Sequence, residues 1–244
     1  MAFFILFLLS SCQSLENIKS YFYYKIKEKL KTEETWNKSL DIEQIYPKER
    51  EEIVLPQPKL KGDASLEEIL GRRRSVREFS SKELDLEEIS QLLWAAQGIT
   101  QKATGFRTAP SAGALYPIEI FLAKKDGVFH YVPEEHKIVR LASTDIRESL
   151  SRACLFQSSV SDAPVDIVIT AIYERTTIKY GERGIRYVHL EAGHVCQNIL
   201  LQATALGLGA VPVGAFDDNE IRKIIKLPEE FAPLYVVPVG YPEE

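Results

Sequence analysis

Residues 188–206 carry the pattern that most limits what this chain can fold into. Val188, Ala192, Val195, Ile199, Ala203 and Leu206 recur at helical spacing, and Leu190, Leu200 and Leu201 widen the apolar face. A helix apolar over so much of its circumference has to be buried, either centrally or at a subunit interface. Gly207 and Gly209 end it. A chain of 244 residues has the length to build a core around such a helix, as one large domain or two small ones.

The remaining elements are mixed. Ser65-Leu66-Glu67-Glu68 is a capping box that opens a short helix, and Asp85-Leu86-Glu87-Glu88 opens a second, which Gly98 stops. Residues 99–113 form a loop rich in small residues. Ile118–Lys124 predicts a strand, and Lys125-Asp126-Gly127 turns it into a second one, Val128–Val132. Thr144–Ser159 predicts a helix, and Val165–Ala171 is a β-branched run suited to a buried strand. Gly209–Val213 and Leu234–Val239 predict two more strands, with a short helix over Asn219–Ile225 between them. Helices and strands alternate without an internal repeat, so the expected class is α+β, a sandwich of helices on a sheet.

The first 62 residues differ from the rest. Ala2–Leu9 is a continuous apolar run, far short of the roughly 20 residues of a spanning helix but long enough for the core of a secretion signal. It leads into Leu9-Ser10-Ser11-Cys12, which resembles a lipoprotein lipobox, although no positively charged segment precedes it. Residues 1–12 are therefore expected to be a lipoprotein signal, with Cys12 as the membrane attachment. From Leu15 to Thr32, Ile18, Phe22, Ile26 and Leu30 form a stripe flanked by lysines, an amphipathic helix that suits a membrane surface or the domain itself. Glu33–Lys61, with Pro47, Pro56 and Pro58, is expected to be a linker or a wrapping arm, which leaves residues 63–244 as the main domain.

Charge and motifs narrow the chemistry. A net charge of −5 argues against general nucleic-acid binding, and Cys12, Cys154 and Cys196 offer neither a disulfide framework nor a zinc spacing. The glycine fingerprint of dinucleotide folds, the phosphate loop of nucleotide hydrolases and the zinc-protease helix motif do not occur. Glu191 and His194 form a single Glu-x-x-His, half of what a di-iron bundle needs, and are expected to be polar helix contacts. No metal site is expected. Against this background Arg72, Arg73, Arg74 and Arg77, with Ser75 between them, form a dense cation cluster. Guanidinium forks match phosphate oxygens, yet a solvated basic patch is the plainer account of such a cluster taken alone. Pro110-Ser111-Ala112-Gly113-Ala114 and Pro212-Val213-Gly214-Ala215 are loops small enough for backbone amides to approach a ligand. Together the three stretches suit a flat aromatic ligand carrying a phosphate.

Three ordered runs carry a resemblance that spacing alone does not: Arg73-Arg74-Ser75-Val76-Arg77-x-Phe79, Leu92–Gly98, and Arg107–Pro117. With Ala163-Pro164, Lys179-Tyr180-Gly181, Glu191–His194, Leu206–Gly209 and Pro238–Pro242, they resemble the flavin-dependent nitroreductase family over roughly residues 55–242, and its SagB-type dehydrogenase branch in particular. The resemblance implies a nitroreductase-like sandwich with a central, mainly antiparallel sheet, and a homodimer with FMN at the interface. Arg73, Arg74, Ser75 and Arg77 would hold the phosphate and ribityl chain. Pro110, Ser111, Ala112, Gly113 and Ala114 would pack on the flavin from the partner subunit, and Pro212, Gly214 and Ala215 would line its other side. Lys179 and Tyr180 resemble the pair that removes a proton in azole-forming members. The family also has a basic residue in a C-terminal extension; here Glu243 and Glu244 follow Pro242, so the phosphate charge is expected to fall on the arginine cluster, with Arg107 as a possible helper.

The expected activity is hydride transfer through flavin N5, as an NAD(P)H-dependent reductase of small-molecule acceptors. Oxidation of azoline rings in a peptide is the enzymatic alternative, and a non-catalytic flavin- or ligand-binding lipoprotein is the alternative outside enzymology. Export would complicate the first, because NAD(P)H is not expected outside the cytoplasm. Mass spectrometry of the protein from membranes is expected to find diacylglycerol on Cys12; an unmodified chain starting at Met1 in the cytoplasm would refute export.

Overall fold

The computed structural model describes residues 45–243, so the expected signal, Cys12 and the amphipathic stretch lie outside the described residues. Among the described residues no helix is long and apolar enough to cross a membrane.

The β-branched run becomes strand β7 (Val165–Ile172), buried at all eight positions. Its side chains alternate in direction, Val165, Ile167, Ile169 and Ala171 joining one apolar cluster and Val168 and Ile172 another. A strand buried on both faces belongs at the centre of a sheet covered on both sides. β7 pairs antiparallel with β4 (Ile118–Lys124) on one edge and with β9 (Phe231–Gly240) on the other. The full sheet runs β1 (Glu52–Val54), β6 (Lys137–Ala142), β5 (Gly127–Val132), β4, β7, β9, β8 (Gly209–Ala210), with every neighbouring pair antiparallel.

Helices cover both faces. On one side lie α2 (Leu86–Gln97) and the long α6 (Arg183–Ala205), whose Leu92, Leu93, Val188, Val195 and Ile199 pack with Ile120 and Ile167. On the other lie α3 (Arg147–Ala153), α4 (Ser158–Asp162) and α7 (Asp218–Ile225), where Leu150, Val160 and Ile221 pack with Phe121 and Val168. The expected α+β sandwich with a central antiparallel sheet is the observed fold. Both predicted capping boxes are present, Ser65 with Glu68 opening α1 (Leu66–Arg72) and Asp85 with Glu88 opening α2. Cys154 and Cys196 are buried free thiols, and burial pushes both up to about 12, away from the thiolate form that a nucleophile needs.

Several local expectations need correction. Part of the presumed linker is strand β1, and β6 was not expected at all, because both carry charges. Those charges find partners across the strands: Lys137 Nζ lies 2.8 Å from Glu52 and Arg140 Nε 2.7 Å from Glu51. The loop over 99–113 contains a small separate hairpin of β2 (Ile99–Gln101) and β3 (Phe106–Arg107). The helix expected over 144–159 breaks after Ala153, where Leu155 and Phe156 turn left-handed. Helix α6 begins at Arg183, ahead of its apolar stripe, and a further short helix α5 (Glu174–Tyr180) precedes it. Only Gly209–Ala210 of the 209–213 run is regular strand, and Val213 bridges to Val236 alone.

One buried group is poorly served. Asp166 in β7 is fully buried and neither carboxylate oxygen has a hydrogen-bond partner. Burial raises its pKa well above the usual carboxylate value; Arg147 opposes that rise and Asp145 adds to it. A raised folded pKa means that the group favours the fold fully below its unfolded pKa and progressively less as pH rises towards the folded value. Asp166→Asn should remove that dependence. In urea titrations the stability difference is expected to move in the variant's favour between pH 4 and pH 8, at up to roughly 1.4 kcal/mol per pH unit; parallel curves would refute it.

Candidate active site

Two groups of predicted residues are assembled, each within itself. The first lies at the β8 edge. After α1 the chain runs extended, and Ser75 forms a parallel bridge to Ala210, with Val76 N–H donating to Ala210 O at 3.1 Å. Contact is close enough that a Cβ on Gly209 would fall 2.6 Å from Val76 Cβ. Arg73, Arg74, Ser75 and Arg77 are thereby held beside the strand that leads into Pro212, Gly214 and Ala215. That turn is fixed by reciprocal bonds between Val213 and Val236, at 2.8 and 2.9 Å. Arg74 donates to the Gly71 and Arg73 carbonyls. Among the described residues none of Arg72, Arg73, Arg74 and Arg77 forms an ion pair.

The second group is the loop from Pro110 to Tyr116 and the end of α5. Gly113, Ala114 and Tyr116 have φ of 67°, 54° and 45°, so the loop is wound through the left-handed region, where only Gly113 is at ease. Ser111 accepts from Tyr116 N–H at 2.9 Å and closes the loop on itself. Gly113 faces the heads of both Lys179 and Tyr180: a Cβ there would lie 2.8 Å from Lys179 Nζ and 2.8 Å from Tyr180 Oη. Lys179 Nζ sits 5.4 Å from the centroid of the Tyr180 ring, which in turn meets Tyr187 edge-on at 5.2 Å. No hydrogen bond or ion pair among the described residues joins this group to the arginine group.

A buried polar chain supports the second group, and the sequence reasoning missed most of it. Arg175, in the first turn of α5, donates to Tyr116 O at 3.1 Å and pairs with Glu119 of β4 at 2.5 Å. Glu119 also meets His130 Nε2 at 2.8 Å, and His130 Nδ1 meets Tyr46 Oη at 2.8 Å. Burial opposes ionisation of Glu119, but the Arg175 charge and the His130 hydrogen bond outweigh it and hold the carboxyl at about 2. One guanidinium therefore pins the end of the loop to the helix that carries Lys179 and Tyr180. Arg107, a suggested phosphate helper, is engaged elsewhere: it bonds Glu134 at 2.8 Å and Gln97 at 3.3 Å, and lies 4.5 Å from the centroid of the Tyr116 ring.

Glu191 is more than a polar helix contact. It is 2% exposed, its Oε1 has no partner, and the Ser111 and Gln97 side chains face it. Burial lifts its pKa to about 7, against the opposing pull of Ser111, Arg107, Gln97 and Arg175. A signal was there, since position 191 falls three after Val188 and four before Val195, on the buried face of the helix. His194 is exposed.

Comparisons with known proteins identify the family. The model of the nitroreductase family matches residues 70–241. The chain belongs to the nitroreductase family. It is an oxidoreductase of that family, and the matched segment spans both residue groups just described. A protein of Methanocaldococcus jannaschii named as a candidate nitroreductase is 50% identical over 184 residues, 73% of this chain and 91% of its own length. The crystal structure of a candidate nitroreductase from Ralstonia eutropha superposes with a TM-score of 0.73 at 29% identity, covering 79% of this chain and 90% of that one. The Escherichia coli microcin synthetase McbBCD complex, solved with truncated pro-MccB17 bound, gives a TM-score of 0.64 at 28% identity, over 83% of this chain and 81% of that one.

Arg175→Met tests the buried support. It leaves the Glu119 carboxylate without its guanidinium, and a loss of about 3–5 kcal/mol in urea unfolding at pH 7 is expected. Adding Glu119→Gln to that variant should recover most of the loss; a single variant as stable as the parent would refute the pairing.

Proposed function

We propose that this chain is an FMN-dependent oxidoreductase that works as a homodimer, with one FMN at each of two interface sites. The observation that carries the reading is the set of unpaired guanidiniums beside the Pro212–Ala215 turn. Cations concentrated without carboxylate partners suit a phosphate monoester, which Arg73, Arg74 and Arg77 would grip with charge-assisted bonds while Ser75 reaches the ribityl hydroxyls. The turn is also open to approach, because a Cβ added to Gly214 would find only Tyr235, at 4.0 Å. Bound there, FMN would supply the N5 position that accepts and donates hydride.

The residues of the chain then divide the remaining work. The Gly214 and Ala215 amides would face the flavin from one protomer, and the Pro110–Ala114 loop would cover it from its partner. Among the described residues no hydrogen bond or ion pair joins the two residue groups within one chain, in keeping with that division. The left-handed loop, pinned by Arg175 and closed by Ser111, would be set in shape before the cofactor arrives, and so lose little freedom on binding. NAD(P)H as donor and a small-molecule acceptor using the same shallow site is the main reading.

A second reading has its own support. Lys179 and Tyr180 converge on Gly113, where they could take a proton from a ring held against the flavin, as azoline oxidation in a peptide would require. The likeness to the McbBCD complex, which was solved with a peptide precursor, favours keeping it. Anchoring at a membrane through Cys12 remains part of the proposal and bears on which donor is within reach.

The purified protein is expected to be yellow. Arg73→Ala with Arg77→Ala should weaken FMN binding at least roughly a hundredfold, as measured by quenching of flavin fluorescence, since each charge-assisted bond contributes about 1.5–3 kcal/mol. A folded, colourless protein indifferent to added FMN would sink the reading. Lys179→Ala should abolish azoline oxidation while barely changing NAD(P)H-dependent reduction; the activity that survives in the variant decides between the two.

A further inference from the structure

Among the described residues the buried carboxyl of Glu191 has no ion pair of its own. The groups that face it are Ser111 from the Pro110–Ala114 loop, Gln97 from the end of α2, Arg107 from β3 and Arg175 from α5. Both guanidiniums are committed to other carboxylates, Arg107 to Glu134 at 2.8 Å and Arg175 to Glu119 at 2.5 Å. Gln97 gives its Oε1 to Arg107 at 3.3 Å. What remains is a surplus of donors. Gln97 Nε2, Arg107 Nε and Arg175 Nε are buried without a partner, and so is Glu191 Oε1.

With such neighbours, the proton on Glu191 decides what Ser111 does. A carboxylate only accepts hydrogen bonds, whereas a carboxylic acid also has one to donate. Of the groups that face Glu191, only the Ser111 oxygen is free to accept it. That oxygen has one hydrogen and two lone pairs, and one lone pair already takes Tyr116 N–H at 2.9 Å. With Glu191 protonated, the acid donates to the second lone pair and the Ser111 hydrogen is released. With Glu191 ionised, the Ser111 hydrogen turns back to the carboxylate. Ser111 is half-buried and is followed by the exposed Gly113 and Ala114, so it stands where the buried cluster meets the surface of the loop.

We propose that Glu191 is a positioning residue that steers the Ser111 hydroxyl: outward, to an acceptor atom of a ligand on the loop, when the carboxyl is protonated, and inward when it is ionised. This rests on the FMN reading, in which the loop covers the flavin and the ring oxygens and nitrogens are the acceptors. Burial lifts Glu191 to about 7, against the pull of Ser111, Arg107, Gln97 and Arg175. The acid form therefore prevails well below that pH and the carboxylate well above it. One hydrogen bond from the loop to its ligand is lost as pH rises through about 7 and regained as it falls.

The test measures FMN binding to the full-length protein stripped of flavin, by quenching of flavin fluorescence, at about pH 5.5 and about pH 8.5. Parent and Glu191→Gln are compared at each pH, which cancels the ionisation of the FMN phosphate. The amide of the variant donates to Ser111 at either pH and so mimics the protonated acid. Glu191→Gln should match the parent at the lower pH and bind FMN roughly fivefold more tightly at the higher, the usual contribution of one neutral hydrogen bond. In a Ser111→Ala background the same substitution should make no pH-dependent difference. Infrared spectra of the flavin-free parent should show, at the lower pH alone, a carboxylic-acid carbonyl band that Glu191→Gln removes. A ratio of parent to variant Kd that is equal at both pH values, as a merely structural role predicts, overturns the proposal. So does a pH-dependent ratio that survives in the Ser111→Ala background, or an infrared band that does not titrate. All three of these outcomes leave the FMN reading standing. A parent that takes up no FMN at either pH overturns that reading and the proposal with it.

Discussion

Glu119 and Arg175 are buried together, and neither can leave without stranding the other's charge in the protein interior. Much of the arrangement around Gly113, Lys179 and Tyr180 follows from that constraint. Glu119 sits in β4 near the centre of the sheet, Arg175 opens α5, and Arg175 also holds the carbonyl of Tyr116. A strand, a helix and a loop are thus tied at one point. Without the tie, the left-handed loop around Gly113 would have little reason to keep its shape, and Lys179 and Tyr180 would lose their fixed relation to it. Burying the pair is expensive in desolvation, and replacement by apolar residues can be neutral or stabilising elsewhere. What the pair provides here is position.

The fold was legible where local signals agree with burial. The capping boxes at Ser65 and Asp85 and the β-branched run Val165–Ala171 each report one element, and the structure contains all three. It was illegible where a strand carries charge. Lys137 and Arg140 break the apolar pattern of β6, and only their distant partners Glu52 and Glu51 reconcile them with a sheet. The stop at Ala153 was hidden for a different reason: a cap that normally announces itself with glycine uses Leu155 and Phe156. Periodicity had no means of finding it.

The site was legible in a similar, uneven way. Family resemblance marked the residues proposed to face a ligand: the arginines, the small loops, Lys179 and Tyr180. It did not mark the residues behind them. Glu119 and His130 interrupt apolar strands, and Glu191 lies on the buried side of α6, so each could have been singled out as a polar residue in an apolar place. Their partners come from distant stretches of chain, which no window of sequence brings together. Conversely, the clustering of Arg72, Arg73, Arg74 and Arg77 was plain, but not that none of the four forms an ion pair in the described structure.

The bridge between Ser75 and Ala210 has a consequence for how the protein is made. The arginine segment leaves the ribosome well over a hundred residues before the strand it pairs with. At ordinary synthesis speeds that delay is on the order of ten seconds. Throughout it a run of cations hangs on the nascent chain with its backbone unpaired, while the hairpin of β4 and β5 can already close. The arginine segment is therefore among the last parts of the domain to be fixed in place, and any ligand that needs it has to bind after translation.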